Sequence, residues 1–210
     1  MRSVELTMRN SAVPSAGKPA AAFFARPAFA SLSATALALA LLAACGDDPL
    51  AVRWVESPDT VRLYALSRSE PNLYSGFDFH PRMPVQIESH STGGNFDLAV
   101  DTAGGEFVWL PPGALGVTSA AGIATLEGET FESAVRAPGD TAQYATNVPV
   151  PVRTRTTYVI RTRGHTGLFG VSCNYYGKLE PLAIDFASGW VLFQFDVSPA
   201  CNNRDLIPPD

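Results

Sequence analysis

The chain has 210 residues, of which 46% are hydrophobic and 17% charged, and it carries a net charge of −5. That balance excludes the basic footprint that nucleic-acid phosphates demand. No helical period is sustained after residue 50 and no repeat of 20–50 residues is visible, which sets aside helical bundles and solenoids.

At the N terminus, Arg2, Arg9, Lys18 and Arg26 form a positive region long enough that Met8 is an alternative start to Met1. Ala30 to Ala44 follows as an apolar run of mostly Ala, Leu, Ser and Thr. It is shorter than the ~20 residues that cross a bilayer as a helix. The run ends in Leu42-Ala43-Ala44-Cys45, and the polar Gly46-Asp47-Asp48 comes next. An apolar segment closed by small residues reads as a secretory signal. These residues resemble the lipobox of bacterial lipoproteins, in which the cysteine is acylated and becomes the new N terminus. The resemblance implies a signal peptide over residues 1–44, a lipidated Cys45 with a tether over 45–57, and a membrane partner reached through lipid. Gly46, where Asp favours inner-membrane retention, points to the outer membrane. An ordinary signal peptide with an incidental cysteine and an uncleaved anchor helix are the alternatives. Acyl burial contributes ~0.8 kcal/mol per CH₂, so two or more chains hold firmly.

Four of the 15 Lys and Arg and one of the 20 Asp and Glu precede Cys45, which leaves 166 residues with a net charge of −8. One β-rich domain over 58–210 accommodates them. Charge of that sign does not hold a protein to anionic lipid, so the anchor has to.

Val52, Trp54 and Val55 offer a first strand within the tether. Val61 to Leu66 alternates with β-favouring residues, and Glu70-Pro71-Asn72 signals a turn. Phe77 to Phe79 and Val85 to Glu88 alternate with period two, and His90 to Asn95 reads as a loop. Phe96 to Asp101 and Glu106 to Leu110 flank Gly104-Gly105, and Pro111-Pro112-Gly113 stops the second of them. Ala114 to Leu126, rich in small residues, supports either a packed loop or an irregular strand. Thr130, with Ser133 three residues on, suggests one capped helical turn before Pro138. Val148 to Pro151 is extended and suited to an edge or a linker.

Thr156 to Thr162 predicts a strand, and Gly164, Gly167 and Gly170 open a loop. Leu179 to Phe186 and Trp190 to Val197 predict a hairpin across a three-residue loop, Ala187 to Gly189, with a G1 bulge. That register aligns Leu182 and Ile184 with Val191, Phe193 and Phe195. Strands at this spacing predict an all-β fold, an antiparallel sandwich or curled sheet.

With Cys45 committed to lipid, Cys173 and Cys201 remain, and two cysteines of an exported chain are normally paired. Extending the hairpin brings them within a residue or two of each other. The loop of about 27 residues contributes ~3–4 kcal/mol in the chain-entropy model. Two free thiols or a metal pair are the alternatives.

Candidate chemistry is sparse. His80, His90 and His165 lack metal-ligand spacing and read as solvated loop residues. No Gly-x-Ser-x-Gly elbow occurs. Asp97 and Asp101 share a strand face but stand about 13 Å apart at ~3.3 Å per residue, too far to act on one glycosidic bond. Arg153, Arg155, Arg161 and Arg163, at even spacing, would share a face of one strand, either as an anion-binding stripe or as a solvated row.

Taken in order, Phe96 to Val100, Phe131 to Val135, Thr157 to Thr162, Tyr176 to Leu179 and Phe193-Gln194-Phe195 resemble the HmuY-type haem-binding lipoproteins over roughly residues 58–198. The resemblance implies an exported all-β fold and a lipid anchor. The family's best-known members bind haem through His or Met axial ligands. Only His80, Met83, His90 and His165 are available here, and none aligns with a ligand position, so the haem site does not carry over. No catalytic residue, metal or cofactor is identified. The expected function is a lipid-anchored, extracytoplasmic, noncatalytic binding or scaffold protein with a small ligand or protein partner of unspecified kind. A haem or other small-ligand carrier and a hydrolase are the alternatives.

Overall fold

The computed structural model describes residues 54–70, 72–88 and 94–209. Cys45, His90 and the signal segment lie outside them. Within the described residues no helix is long and apolar enough to cross a membrane. The elements are β1 (Asp59–Tyr64), β2 (Gly76–Asp78), β3 (Met83–Val85), β4 (Leu98–Ala103), β5 (Glu106–Leu110), β6 (Gly122–Leu126), β7 (Val150–Pro151), β8 (Thr157–Arg161), β9 (His165–Thr166), β10 (Ser172–Cys173), β11 (Tyr176–Asp185) and β12 (Trp190–Val197).

They form an open, all-β, antiparallel sandwich. One sheet runs β1-β12-β11-β8-β6, the other β3-β2-β4-β5-β7, and β9 pairs with β10 apart from both. Leu63, Phe77, Leu98, Val100, Trp109, Ile123, Tyr158, Ile160, Leu179, Phe193 and Phe195 come from both sheets and make one core. Its aromatic rings meet edge to face, with Phe77 and Phe195 4.7 Å apart and Trp109 and Phe193 5.3 Å apart. Such pairs contribute ~0.5–1.5 kcal/mol beyond the area they bury.

The outer faces are covered as well. Ala124, Ala134, Tyr144, Val159 and Leu206 pack on one sheet, and Val85, Phe96, Ala99, Val108 and Leu110 on the other. Strands buried on both faces lose the alternation of a half-exposed sheet, which is why β8 is almost continuously apolar. It is also why β6 opens on a glycine: a side chain on Gly122 would meet the Tyr144 Cβ at 3.0 Å and the Ala145 carbonyl at 3.2 Å.

Turn chemistry accounts for the connections. Gly104 and Gly105 both have positive φ, +63° and +85°, the type I′ conformation that closes Ala103 onto Glu106. The Thr130 turn forms as a reciprocal pair, with Thr130 N donating to Ser133 Oγ at 2.8 Å and Ser133 N to Thr130 Oγ1 at 3.2 Å. β7 is an edge, as its proline, Pro151, requires.

Several expectations are corrected. Residues 54–58 form no strand. The β11–β12 hairpin closes at Asp185 and Trp190 across four residues, not three, with Gly189 at φ +67°. The Asp185 carboxylate accepts from the backbone N–H of Ala187 and Ser188, both at 2.9 Å, and so shapes the longer loop. A bulge between Pro181 and Ala183 shifts the register and turns Leu182 out to solvent, so Ile184 faces the core without it. Loop and bulge each shift the register by one residue in the same sense, so together they move it by two. Beyond the bulge Gly177 pairs with Val197, and four more residues along each strand reach Cys173 and Cys201. These two are joined in a disulfide, with Cα atoms 5.1 Å apart.

The arginine row does not form. Arg155, at φ +60°, lies in a turn that separates β7 from β8. Arg161 donates to the Ala120 carbonyl at 2.9 Å and lies over the Tyr144 ring. Arg163 turns inward.

Candidate functional site

Arg163 leads to the most concentrated chemistry in the described residues. It follows β8 in one sheet, and its guanidinium crosses to two carboxylates of the other. Nη2 lies 2.6 Å from Asp78 Oδ2, at the end of β2, and Nη1 lies 3.5 Å from Asp97 Oδ1, just before β4. Asp97 is fixed further by backbone donors: Phe79 N to Oδ2 at 2.9 Å and Arg163 N to Oδ1 at 2.7 Å. Both aspartates are buried.

Two histidines close on this group. His165 opens β9, opposite Cys173. Its ligating nitrogen and one carboxylate oxygen from each of Asp78 and Asp97 lie within 4.8 Å of one another. His80, in the turn after β2, stacks flat on Tyr175 at 4.0 Å and touches the His165 ring, centroid to centroid 4.7 Å. The solvated-loop expectation is therefore corrected for His165, which is half-buried in a strand, whereas His80 keeps its exposure in the turn. Residue spacing could not reveal the cluster, because its members come from three separate segments brought together only by the fold.

The electrostatics are unequal. Burial pushes the Asp97 carboxyl up to about 7; the Asp78 charge adds to this, while the two backbone donors and the Arg163 guanidinium pull the other way. Burial also lowers His165, helped by the charges of Arg163 and His80 and opposed by Asp78. For Arg163, burial works against the charge, but the hydrogen bond to Asp78 and the charges of both aspartates outweigh it and hold the guanidinium above its ordinary range. Asp97 is thus the aspartate from which a proton is hardest to remove, beside an imidazole that prefers to be neutral.

His80 also rims a mostly apolar cleft of about 270 Å³, walled by Trp54, Val55, Arg82, Asp196, Val197, Ser198 and Pro199. Arg82, a non-glycine at φ +58°, holds that wall in place. Its Nη1 meets Asp196 Oδ1 at 2.9 Å and its Nη2 donates to the Ser57 carbonyl at 2.5 Å. Ser57 N in turn donates to Asp196 Oδ2 at 3.0 Å. Two polar atoms in the walls, Trp54 Nε1 and Ser198 Oγ, are buried without a hydrogen-bond partner.

Of the residues singled out from sequence, Cys173 and Cys201 are bonded to each other, His80 and His165 meet, Met83 is exposed on β3, and Cys45 and His90 lie outside the described residues. Asp97 belongs with Asp78 and Arg163, neither of which spacing singled out as its partner. Asp101 instead accepts from Ser67 N at 2.8 Å. No protein-family model matches the chain, and no curated protein matches it.

Proposed function

We propose that the chain is a lipid-anchored, extracytoplasmic, noncatalytic binding protein, and that a small ligand occupies the cleft between Trp54 and Ser198. The observation that carries the binding reading is the pair of orphaned polar atoms there. A buried donor or acceptor without a partner costs ~1–3 kcal/mol, and such a cost is offset when a ligand supplies the missing hydrogen bonds. Ser198 is only 1% exposed, so bulk water does not satisfy its hydroxyl. Apolar walls with a few convergent polar groups are the usual make-up of a small-ligand site. Export is supported by the lipobox-like Leu42 to Cys45 segment, and the Cys173–Cys201 disulfide fits an oxidising compartment.

A haem or other small-ligand carrier is favoured by one feature, the imidazole of His80 at the cleft rim. Against haem, a cleft of about 270 Å³ is too small to enclose a porphyrin, and the His80 and His165 rings touch, which leaves no slot for one between them.

Two measurements test the proposal. In a Gram-negative host fed a labelled fatty acid, the processed chain incorporates label, and Cys45→Ser abolishes it; an uncut, unlabelled precursor in the soluble extract overturns the anchor. Native mass spectrometry of the detergent-extracted chain shows a bound small molecule that Ser198→Val removes; a bare chain, or a mass that Ser198→Val leaves in place, overturns the cleft reading. A haemin titration that develops a Soret shift lost in His80→Ala would move the assignment to the carrier.

A further inference from the structure

We propose that Asp78, Asp97 and His165 form a binding site for a divalent first-row transition cation, for which Zn²⁺ is the fitting probe. The proposal is independent of the cleft reading.

Three observations carry it. The first is the donor set: two carboxylates and one imidazole within 4.8 Å of one another. Carboxylate and imidazole donors together suit Zn²⁺ and its neighbours. With tetrahedral bonds of about 2.1 Å, donor atoms stand about 3.4 Å apart, so the ligands need to close by at most roughly 1.4 Å. His165 lies in the two-residue strand β9, between Gly164 and Gly167, outside both large sheets.

The second observation is independent of that convergence. Asp78 is 94% buried, and its Oδ1 has no hydrogen-bond partner; the His165 Nε2 is likewise buried and without one. Each is a polar atom left unmet in a place where that is costly. Arg163 does not use them, because it holds Asp78 through the other oxygen, Oδ2.

The third is charge. With both aspartates ionised, as ligation requires, two carboxylates and one guanidinium carry a net −1, which a bound cation offsets. His80 touches the His165 ring but stands outside the convergent donor set.

The test is calorimetric titration of the chelator-treated full chain, in detergent, with ZnCl₂. The expected result is one saturable site per chain, weakened at least tenfold in both Asp78→Asn and His165→Gln and unchanged in Glu132→Gln, which lies exposed elsewhere. Because Asp78→Asn also disturbs Arg163, folding is checked by circular dichroism, and His165→Gln, which leaves the carboxylate–guanidinium pairs in place, decides if the aspartate variant fails to fold. Co²⁺ added in place of Zn²⁺ develops visible d–d bands that His165→Gln abolishes. No saturable binding, or binding that His165→Gln leaves unchanged, overturns the proposal.

Discussion

The ammonium of Lys178 lies 3.0 Å from the Glu56 carboxylate and 4.7 Å from the centre of the Phe131 ring, in a lysine whose residue has no exposed surface. Lys178 pairs across the strands with Asp196, but that aspartate is taken up by Arg82 and Ser57. Glu56 alone therefore meets the lysine's charge among the described carboxylates, and the contact straps residues 54–57 across the sheet beside the cleft.

Removing Glu56 leaves a buried cation unpaired. Loss of one partner of a fully buried pair costs ~3–5 kcal/mol, but the Glu56 side chain is 40% exposed, so water moderates the loss to about 1–3 kcal/mol. Glu56→Ala is expected to lower the urea midpoint by that amount, and Lys178→Met, which keeps the packing without the charge, to be neutral or stabilising. In the Lys178→Met background Glu56→Ala should cost nothing further. An equal loss in both backgrounds would show that the glutamate acts by some route other than the ion pair.

Cys173 and Cys201 extend the β11–β12 register, so the bond closes a loop the sheet has already aligned. Its effect falls mainly on the unfolded chain. For a separation of 28 residues the chain-entropy model gives about 3–4 kcal/mol. Replacing both cysteines by Ser should lower the unfolding free energy by that amount while leaving the circular dichroism of the sandwich unchanged. Thiol blocking before reduction should label neither residue; two labelled thiols would contradict the bridge.

The sandwich was legible wherever local chemistry dictates it. Gly104-Gly105 permits little besides a type I′ turn between two apolar runs, and Thr156 to Thr162 has the branched and aromatic residues of a buried strand. Strand β6 was not legible, because its opening glycine, Gly122, answers to Tyr144 and Ala145, more than 20 residues away. Leu182 misled for a similar reason. Hydrophobic alternation cannot reveal a bulge, and one extra residue reverses every face beyond it. The cluster of Asp78, Asp97, Arg163 and His165 is assembled by pairing of β2 with β4 and by a chain crossing between sheets, neither of which leaves a mark in residue spacing.

Asp97 and His165 make opposite contributions to stability as pH changes in the metal-free protein. The folded-state pKa of Asp97 is raised to about 7, so the folded chain holds a proton that the unfolded chain releases near 4. Its contribution is therefore favourable in acid and declines as pH rises from about 4 to about 7. His165 is lowered, so the unfolded chain gains a proton first, and stability declines as pH falls below about 6.5. Melting temperatures measured with chelator from pH 4.5 to 8 should show His165→Gln gaining on the parent chain as the solution is acidified. Carbon-detected NMR of the aspartate carboxyls should give Asp97 a midpoint near 7; a midpoint below 4 would mean that its backbone donors and Arg163 overcome burial.

Ser198 separates a binding role from a structural one. Its backbone N–H donates to the Tyr176 carbonyl at 2.9 Å and is untouched by a change of side chain. Its hydroxyl is buried without a partner. Ser198→Ala removes that unmet group and nothing else, so the ligand-free chain should become more stable by about 1 kcal/mol, read as a higher urea midpoint. If a ligand meets the hydroxyl in the cleft, the same variant should bind it more weakly while folding more tightly, the opposition expected when stability is given up for function. A serine retained for packing alone would instead lose stability on truncation and leave binding unchanged.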